Sequence, residues 1–333
     1  MINAKGLSSY YSGKRVLVTG GLGFIGSNLA YRLVEMGSVV TLVDSLIPHY
    51  GGNLFNIHGI EDKLTVNISD IRDRYAMNYM VKDKDLIFNL AGTLSHIDSM
   101  KDPFTDLEVN CVAQLSILEA CRENNPKVKI LFAGTRGQYG KSDYLPVDEK
   151  HLMHPTDVNG INNLAAEGYH ILYNNVYDIK ATSLRLTNTY GPRHQMKHSR
   201  QGIINWFIRK IIDGQEIEIF GDGLQKRDLN YVDDVIDAML LALASEKTNG
   251  EAFNLGGLAL SLVDIVKMMI KIYGKGSYKL IEYPQKNQKI EIGDYIADYT
   301  KIGNLLGWKP KISLEKGLSE TFAFYKKFKE HYW

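Results

Sequence analysis

A glycine-rich segment between the first apolar run and the first helical pattern constrains the fold of this chain more than any other feature. The segment TGGLGFIG, residues 19–26, places Gly20, Gly23 and Gly26 in a GxGxxG frame. Glycines at this spacing allow a tight turn, a close approach of the backbone to a pyrophosphate, and close packing of a helix on a strand. The amides of the helix N-terminus would face the anion. The segment therefore predicts a strand, a turn and a helix that bind a dinucleotide.

Short apolar runs alternate with helical patterns through the first half of the chain. The runs predicted as strands are residues 14–19, 39–43, 64–68, 85–90, 128–134 and 180–186. Most of the segments between them show the 3.6-residue periodicity of amphipathic helices. Nearly continuous apolar strands that alternate with helices are typical of a parallel sheet covered on both faces. We therefore predict an α/β fold with a Rossmann-type, doubly wound parallel sheet.

The pattern changes after about residue 187 to irregular loops, short strands and isolated helices. We predict a dinucleotide-binding domain over residues 1–187 and a smaller C-terminal α/β substrate-binding domain over residues 188–333. This boundary is approximate, because a return of the chain to the first domain around residues 225–255 stays open. The smaller domain would cover the carboxyl edge of the sheet, where open α/β sheets bind their ligands.

Composition narrows the class of partner. The 333 residues include 39 Lys and Arg against 38 Asp and Glu, without a basic block, so no nucleic-acid-binding surface is indicated. Cys111 and Cys121 lie ten residues apart in one helical pattern, a spacing that suits neither a metal site nor a redox pair. The start of the chain lacks the apolar core of a signal peptide, and no apolar run is long enough to span a bilayer. We expect a cytoplasmic protein with a small-molecule ligand, no membrane association and no metal.

Two acidic residues follow the second and third predicted strands. Asp44 ends the second strand, at the distance from the glycine frame expected for a carboxylate that binds a ribose. It favours NAD over NADP, because a carboxylate repels a 2′-phosphate. Asp70 follows the third strand and would accept a hydrogen bond from the adenine amine, although a solvated loop carboxylate explains it almost as well.

Six segments follow one another in a specific order along nearly the whole chain. They are TGGLGFIG (19–26), FNLAG (88–92), DPFTDLEVN (102–110), FAGTRGQYG (132–140), RLTNTYGPR (185–193) and RDLNYVDDV (227–235). In this order they resemble the extended short-chain dehydrogenase/reductase superfamily, and within it the NAD-dependent nucleotide-sugar epimerase/dehydratase family that includes UDP-glucose 4-epimerase. The resemblance implies a bound NAD that takes a hydride from a sugar carbon, usually C4. It implies NAD contacts at Gly20, Gly23, Phe24, Ile25, Gly26, Asp44, Asp70, Ile71, Leu90, Ala91, Gly92 and Asn110.

The catalytic positions implied by the resemblance are only partly kept. The family uses a Ser or Thr hydroxyl, a Tyr base, and a Lys that lowers the pKa of that Tyr. Thr135 matches the hydroxyl residue, whereas Asn159 and Asn163 stand where the family has its Tyr and Lys. A carboxamide does not titrate near neutrality, so Asn159 cannot be a general base. The pair shares one helix face and can still hydrogen-bond a sugar hydroxyl or a ribose. The alternative, that Asn159 caps the helix and Asn163 faces solvent, stays open.

His96 is the candidate for the missing base. It follows FNLAGTLS at the carboxyl end of a strand, where a loop side chain can reach the nicotinamide. An imidazole titrates in the right range without a neighbouring lysine. Ser95, next to it, is a candidate substrate contact. A polar surface role for His96 is the alternative.

Two further residues match positions that hold the diphosphate of the substrate in the family. They are Asn188 in TNTYGPR and Arg227 in KRDLNYVDD, and an Arg fork suits phosphate oxygens. An ion pair with a nearby aspartate is the alternative for Arg227. Members of the family that eliminate water follow their Thr with Asp-Glu, whereas this chain has Arg136 and Gly137, so dehydration is not expected.

The sequence therefore predicts an NAD-dependent enzyme that modifies a nucleotide-diphosphate sugar by transient oxidation at C4, as an epimerase does, with an atypical catalytic set. One alternative is a protein that binds NAD and a nucleotide sugar without turnover. A second alternative is a one-way dehydrogenase that releases its keto sugar. A homodimer is expected from the resemblance, with apolar residues such as Leu115, Leu118, Leu164 and Ile171 either at the interface or in the core.

Overall fold

The structure is a computed structural model that describes residues 4–48, 50–283 and 291–333. The strands in these ranges are β1 (Arg15–Thr19), β2 (Val39–Asp44), β3 (Leu64–Ile68), β4 (Leu86–Asn89), β5 (Lys129–Thr135), β6 (Lys180–Leu186), β7 (Asn188–Tyr190), β8 (Ile217–Phe220), β9 (Lys226–Tyr231), β10 (Glu251–Asn254), β11 (Leu258–Ser261) and β12 (Tyr278–Ile281). The α-helices are α1 (Ala4–Tyr11), α2 (Phe24–Glu35), α3 (Arg74–Met80), α4 (His96–Lys101), α5 (Pro103–Leu107), α6 (Ala113–Asn124), α7 (Val158–Tyr177), α8 (Ile203–Ile212), α9 (Val232–Ala244), α10 (Leu262–Tyr273), α11 (Thr300–Leu306) and α12 (Leu314–Phe328). A π-helical segment, Glu108–Val112, joins α5 to α6.

A parallel sheet forms the centre of the molecule. Within the described ranges it has seven strands, in the order β10-β6-β5-β4-β1-β2-β3. Successive side chains of a strand point to opposite faces. Val16 and Val18 accordingly pack into one buried core while Leu17 packs into the other. Both faces of β1 are covered, which explains why its sequence is apolar without alternation.

The predicted fold class is confirmed, and each predicted strand of the sheet is present within one residue of its expected bounds. The helix α1 before the first strand was not predicted. Its Tyr11 is fully buried, and the Tyr11 hydroxyl donates to the carbonyl of Leu240, so α1 is fixed against α9.

The order of the strands reverses between β1 and β4. The chain runs outward from β1 through β2 to β3, then crosses to β4 on the other side of β1. The Thr19 hydroxyl ties the two strand ends together: it donates to Asn89 Oδ1 over 2.8 Å and accepts from the amide of Leu90 over 3.0 Å. Ligands bind at the carboxyl edge of such a switch point.

The later part of the chain builds two small sheets and then returns to the large one. In the described residues the small sheets have the orders β11-β9-β7 and β12-β8. Between β9 and β11 the chain adds β10 to the edge strand β6, in parallel. This return lies within residues 225–255, the region in which a return of the chain to the first domain was left open. A division into domains at residue 187 stays a prediction.

Among the described residues, none of the helices combines the length and the apolar character needed to cross a membrane.

Candidate functional site

A cleft of about 740 Å³ lies at the carboxyl edge of the parallel sheet. All of the residues predicted from the sequence for cofactor, catalysis and substrate line it. They are Gly20, Gly23, Phe24, Ile25, Gly26, Asp44, Asp70, Ile71, Leu90, Ala91, Gly92, Ser95, His96, Asn110, Thr135, Asn159, Asn163, Asn188 and Arg227. Residues from both halves of the chain therefore face one ligand space.

The glycine frame has the geometry that a pyrophosphate site needs. Gly20 has a φ of +65°, and a Cβ on Gly26 would lie 2.3 Å from the carbonyl oxygen of Gly20, closer than atoms can approach. Gly23 is the N-cap of α2 and provides no side-chain hydrogen bond to the first amides of that helix. Those amides are available to an anion, so the segment fits the pyrophosphate of NAD.

Asp44 is held rigidly at the end of β2. Its two carboxylate oxygens accept from the amide of Leu22 over 3.1 Å and from the amide of Leu46 over 3.0 Å. Burial raises the pKa of Asp44, and these two hydrogen bonds only partly offset that rise. The carboxylate would hold the adenosine ribose hydroxyls and exclude a 2′-phosphate.

Asp70 and Asn110 have partners within the protein. Asp70 forms an ion pair of 2.7 Å with Arg72, which also contacts Glu108 at 3.0 Å. Asn110, in the π-helical segment, accepts from the amide of Thr93 over 2.9 Å and donates to its carbonyl over 3.1 Å. Asn110 therefore supports the loop after β4 that lines the cofactor side of the cleft.

The two asparagines Asn159 and Asn163 belong to a buried polar network. Asn159 Nδ2 donates to the Thr93 carbonyl over 2.8 Å and to Asp106 Oδ2 over 3.0 Å. Asn163 Nδ2 donates back to the carbonyl oxygen of Asn159 over 2.9 Å. Asp106 is 3% exposed and also accepts from Thr93 Oγ1 and from Asn162 Nδ2. The network satisfies a buried carboxylate that would otherwise be costly to bury.

A histidine and a carboxylate form a close pair beside Thr135. His96 Nδ1 lies 2.6 Å from Asp157 Oδ2, and the other oxygen of Asp157 accepts from the amide of Gly160 as the N-cap of α7. Burial acts to raise the pKa of Asp157, but the hydrogen bond and charge of His96 outweigh it, so this pKa lies below its usual range. No described residue hydrogen-bonds His96 Nε2.

His96 and Thr135 flank the same point in space. The position that a Cβ on Gly137 would take lies 3.2 Å from His96 Cε1 and 3.6 Å from Thr135 Oγ1. The Thr135 hydroxyl accepts from the amide of Gly137, which leaves its own proton free to donate. An imidazole with one nitrogen on a carboxylate and the other open, beside a hydroxyl donor, is a suitable arrangement for general base catalysis.

The predicted substrate contacts have protein partners as well. Asn188 Nδ2 donates to the carbonyl of Asp228 over 3.0 Å. Arg227 donates to Glu291 over 2.8 Å and to the carbonyl of Gly293 over 2.8 Å. Ser95 Oγ accepts from the amide of Asp98 as the N-cap of α4. These side chains line the cleft, and a bound diphosphate would compete with or share these contacts.

Sequence reasoning missed three residues of the site. Asp157 and Asp106 were not predicted as site residues, and Arg136 was used only as an argument against dehydration. A Pro-Thr-Asp segment just before α7 does signal a capped helix. Nothing local in the sequence connects that cap to His96, which lies 61 residues away.

Comparisons with known proteins agree with this geometry. A model of the family described as "NAD dependent epimerase/dehydratase family" matches residues 16–256. A protein from Methanocaldococcus jannaschii named putative UDP-glucose 4-epimerase is 35% identical over 93% of this chain and 98% of its own length. The structure of UDP-glucose 4-epimerase from Thermotoga maritima with UDP-glucose has a TM-score of 0.85 and 33% identity, covering 94% of this chain and 99% of that one. The Thermus thermophilus UDP-glucose 4-epimerase complex with NAD has a TM-score of 0.83 and 28% identity, covering 94% and 99%.

Proposed function

The chain belongs to the NAD-dependent epimerase/dehydratase family, and on that premise we propose that it epimerises a nucleotide-diphosphate sugar through transient oxidation at C4. The family membership supports an NAD-dependent nucleotide-sugar enzyme. When bound, NAD would supply the acceptor for a hydride from the sugar and, once reduced, the donor of that hydride to the opposite face of the keto sugar. The observation that carries the proposal is the pair of His96 and Asp157 beside Thr135, in the same cleft as the glycine frame.

His96 would take the role that the family gives to its Tyr. The Thr135 hydroxyl would donate to the C4 oxygen and fix its position. His96 Nε2 would accept the hydroxyl proton as the carbonyl forms, and would return it when the hydroxyl is restored. Asp157 would stabilise the imidazolium that forms between these steps, as the carboxylate of a catalytic triad does. The scheme uses no lysine, because the Asp157 carboxylate is the charged group next to the base.

The other polar residues of the cleft would position the ligands. Asn159 and Asn163 line it, and their network fixes the loop around Thr93 on which the sugar and the nicotinamide ribose would rest. Asn188 and Arg227 would hold the diphosphate. The rigidity of these residues fits a site that must keep a keto sugar bound while it turns over.

Two other functions differ from this proposal in a measurable way. Purified protein with NAD would be incubated with UDP-, GDP-, CDP- and dTDP-sugars, while NADH absorbance is followed and sugars are identified by NMR. A new epimer without lasting NADH supports the proposal. NADH formed in step with a keto sugar would replace it with a one-way dehydrogenase. Binding of both ligands without any product would replace it with a non-catalytic binding protein.

We also propose a homodimer through the helices α5, α6 and α7. Phe104 is 75% exposed, and Ile161 and Leu172 on α7 are 54% and 48% exposed. Of the residues suggested from the sequence, Leu118 is fully buried in the protein's own core, so it is not an interface residue.

Charged substitutions at this surface are expected to produce a monomer. Ile161→Glu combined with Leu172→Glu should halve the mass measured by light scattering after gel filtration, because two charges would be buried in an apolar interface. Leu224→Glu, at another exposed leucine, is the control and should leave the mass unchanged. A natural protein that is monomeric at micromolar concentration would disprove the dimer.

A further inference from the structure

Arg136 is a cation in the cleft whose charge the protein leaves incompletely paired. It follows Thr135 directly, begins the 3-10 turn Arg136–Gln138, and lines the cleft. Its Nη1 atom is buried, and within residues 4–48, 50–283 and 291–333 it has no hydrogen-bond partner. Its guanidinium carbon lies 5.4 Å from the ring centroid of Tyr295, so an aromatic ring supports the group on one side.

The two carboxylates near Arg136 are hydrogen-bonded to other groups. Asp228 is fully buried and accepts from the amides of Gly257 and Ala297 over 2.7 and 2.8 Å. Glu291 pairs with Arg227 and accepts from the Tyr283 hydroxyl. In the described residues neither carboxylate hydrogen-bonds Arg136 directly, although their charges act to raise its pKa against the stronger effect of burial.

The surroundings disfavour the charge of Arg136 but do not remove it. Burial lowers the pKa of Arg136 to about 10, and the charge of Arg227 acts in the same direction. The group is still a cation at neutral pH. A buried cation without a directly hydrogen-bonded anion costs free energy, part of which an anionic ligand would recover.

We propose that Arg136 binds a carboxylate on the sugar, so that the substrate is a nucleotide-diphosphate uronic acid. The inference rests on the proposed function, since it places the reacting C4 hydroxyl at Thr135. Arg136, the next residue along the chain and part of the same cleft, would then bind the group carried by C5, which is the carboxyl group in a hexuronic acid. A guanidinium binds a carboxylate through two parallel hydrogen bonds, which a neutral hydroxymethyl group cannot reproduce.

The anion could instead be the diphosphate, and the test separates the two sources. UDP, dTDP, GDP and CDP are first compared for binding to the NAD-loaded protein. The one that binds most tightly is then used in two sugar derivatives, one with a hexose and one with the corresponding uronic acid. Dissociation constants are measured for the nucleoside diphosphate and for both sugar derivatives. We expect the uronic acid to bind roughly 10- to 100-fold more tightly than the hexose, the factor that a charge-assisted hydrogen bond supplies.

Variants at Arg136 should remove that preference and nothing else. With Arg136→Gln, we expect equal affinity for the two sugars and unchanged affinity for the nucleoside diphosphate and NAD. Arg136→Lys should keep part of the preference, because it keeps the charge without the fork. Arg200→Gln is the control at an exposed arginine of the same cleft that pairs with Asp98, and it should keep the full preference.

Two results would overturn the proposal. One is equal binding of hexose and uronic acid by the natural protein. The other is a loss of nucleoside diphosphate affinity in Arg136→Gln that matches the loss for the uronic acid, which would assign Arg136 to the diphosphate. Failure of the proposed epimerase function looks different, because a preference for the uronic acid without turnover would leave the role of Arg136 intact.

Discussion

Replacing His96 with glutamine is expected to lower turnover of the nucleotide sugar by a factor of ~10²–10⁴, the range that general base catalysis contributes. Glutamine keeps a polar side chain at the start of α4 but cannot accept a proton near neutrality. NAD binding should change little, whereas the free energy of unfolding should fall moderately, because the buried Asp157 carboxylate loses the imidazole that pairs with it. The measurement is the initial rate of epimer formation by NMR, with NAD affinity determined in parallel.

Asp157→Asn provides the matched comparison. Asparagine is as good an N-cap as aspartate, so α7 should keep its start. The imidazolium loses its neighbouring anion, and its formation becomes less favourable. We therefore expect a lower rate and an acidic limb of the pH–rate profile that moves to lower pH. Full activity in His96→Gln, or a pH profile in Asp157→Asn identical to that of the natural protein, would exclude His96 as the base.

Replacing Asn159 with tyrosine is expected to destabilise the protein by roughly 3 kcal/mol or more and to bring no gain in turnover. Asn159 is 3% exposed, so a phenol ring would have to displace neighbouring atoms. The change also removes the amide that donates to Asp106, which leaves a buried carboxylate with fewer donors. The free energy of unfolding would be measured by denaturant titration, and turnover by the same NMR assay.

Leu224→Tyr is the control, since it places the same residue at a side chain that is 62% exposed and lies outside the proposed dimer helices. It should unfold like the natural protein. If Asn159→Tyr is instead as stable as this control and raises turnover, the network around Asp106 is dispensable, and a tyrosine at position 159 is enough to act as the base.

Much of the fold could be predicted because its signals are local. Strands such as β1 and β5 are apolar runs whose length and neighbours identify them, and the glycine frame fixes where the first helix begins. Once the strands are known to be parallel, every residue just after a strand must lie at the same edge of the sheet. That rule alone brings Asp44, Leu90 and Thr135 into one cleft.

The chemistry of the site could not be predicted to the same depth, because its contacts are set by loops. The contact of His96 with Asp157 depends on how the segment before α7 crosses the end of β5. The burial of Asp106 depends on the packing of α5 against α7, which no periodicity reveals. Tertiary packing likewise determines whether Leu118 lies in the core or at an interface, because an apolar side chain suits both places until its neighbours are known.

The position of β10 has a consequence for how this protein is made. The strand β6 pairs with β5 on one side and gains its second partner only from Glu251–Asn254, more than sixty residues after β6 ends. During synthesis from the N-terminus, β6 must wait with an unpaired edge while the segments that build the far side of the cleft are translated. Fragments that stop near residue 187 would carry that edge permanently and would be prone to pair with one another. The ribosome must therefore deliver the chain as far as Asn254 before the seven-stranded sheet is complete.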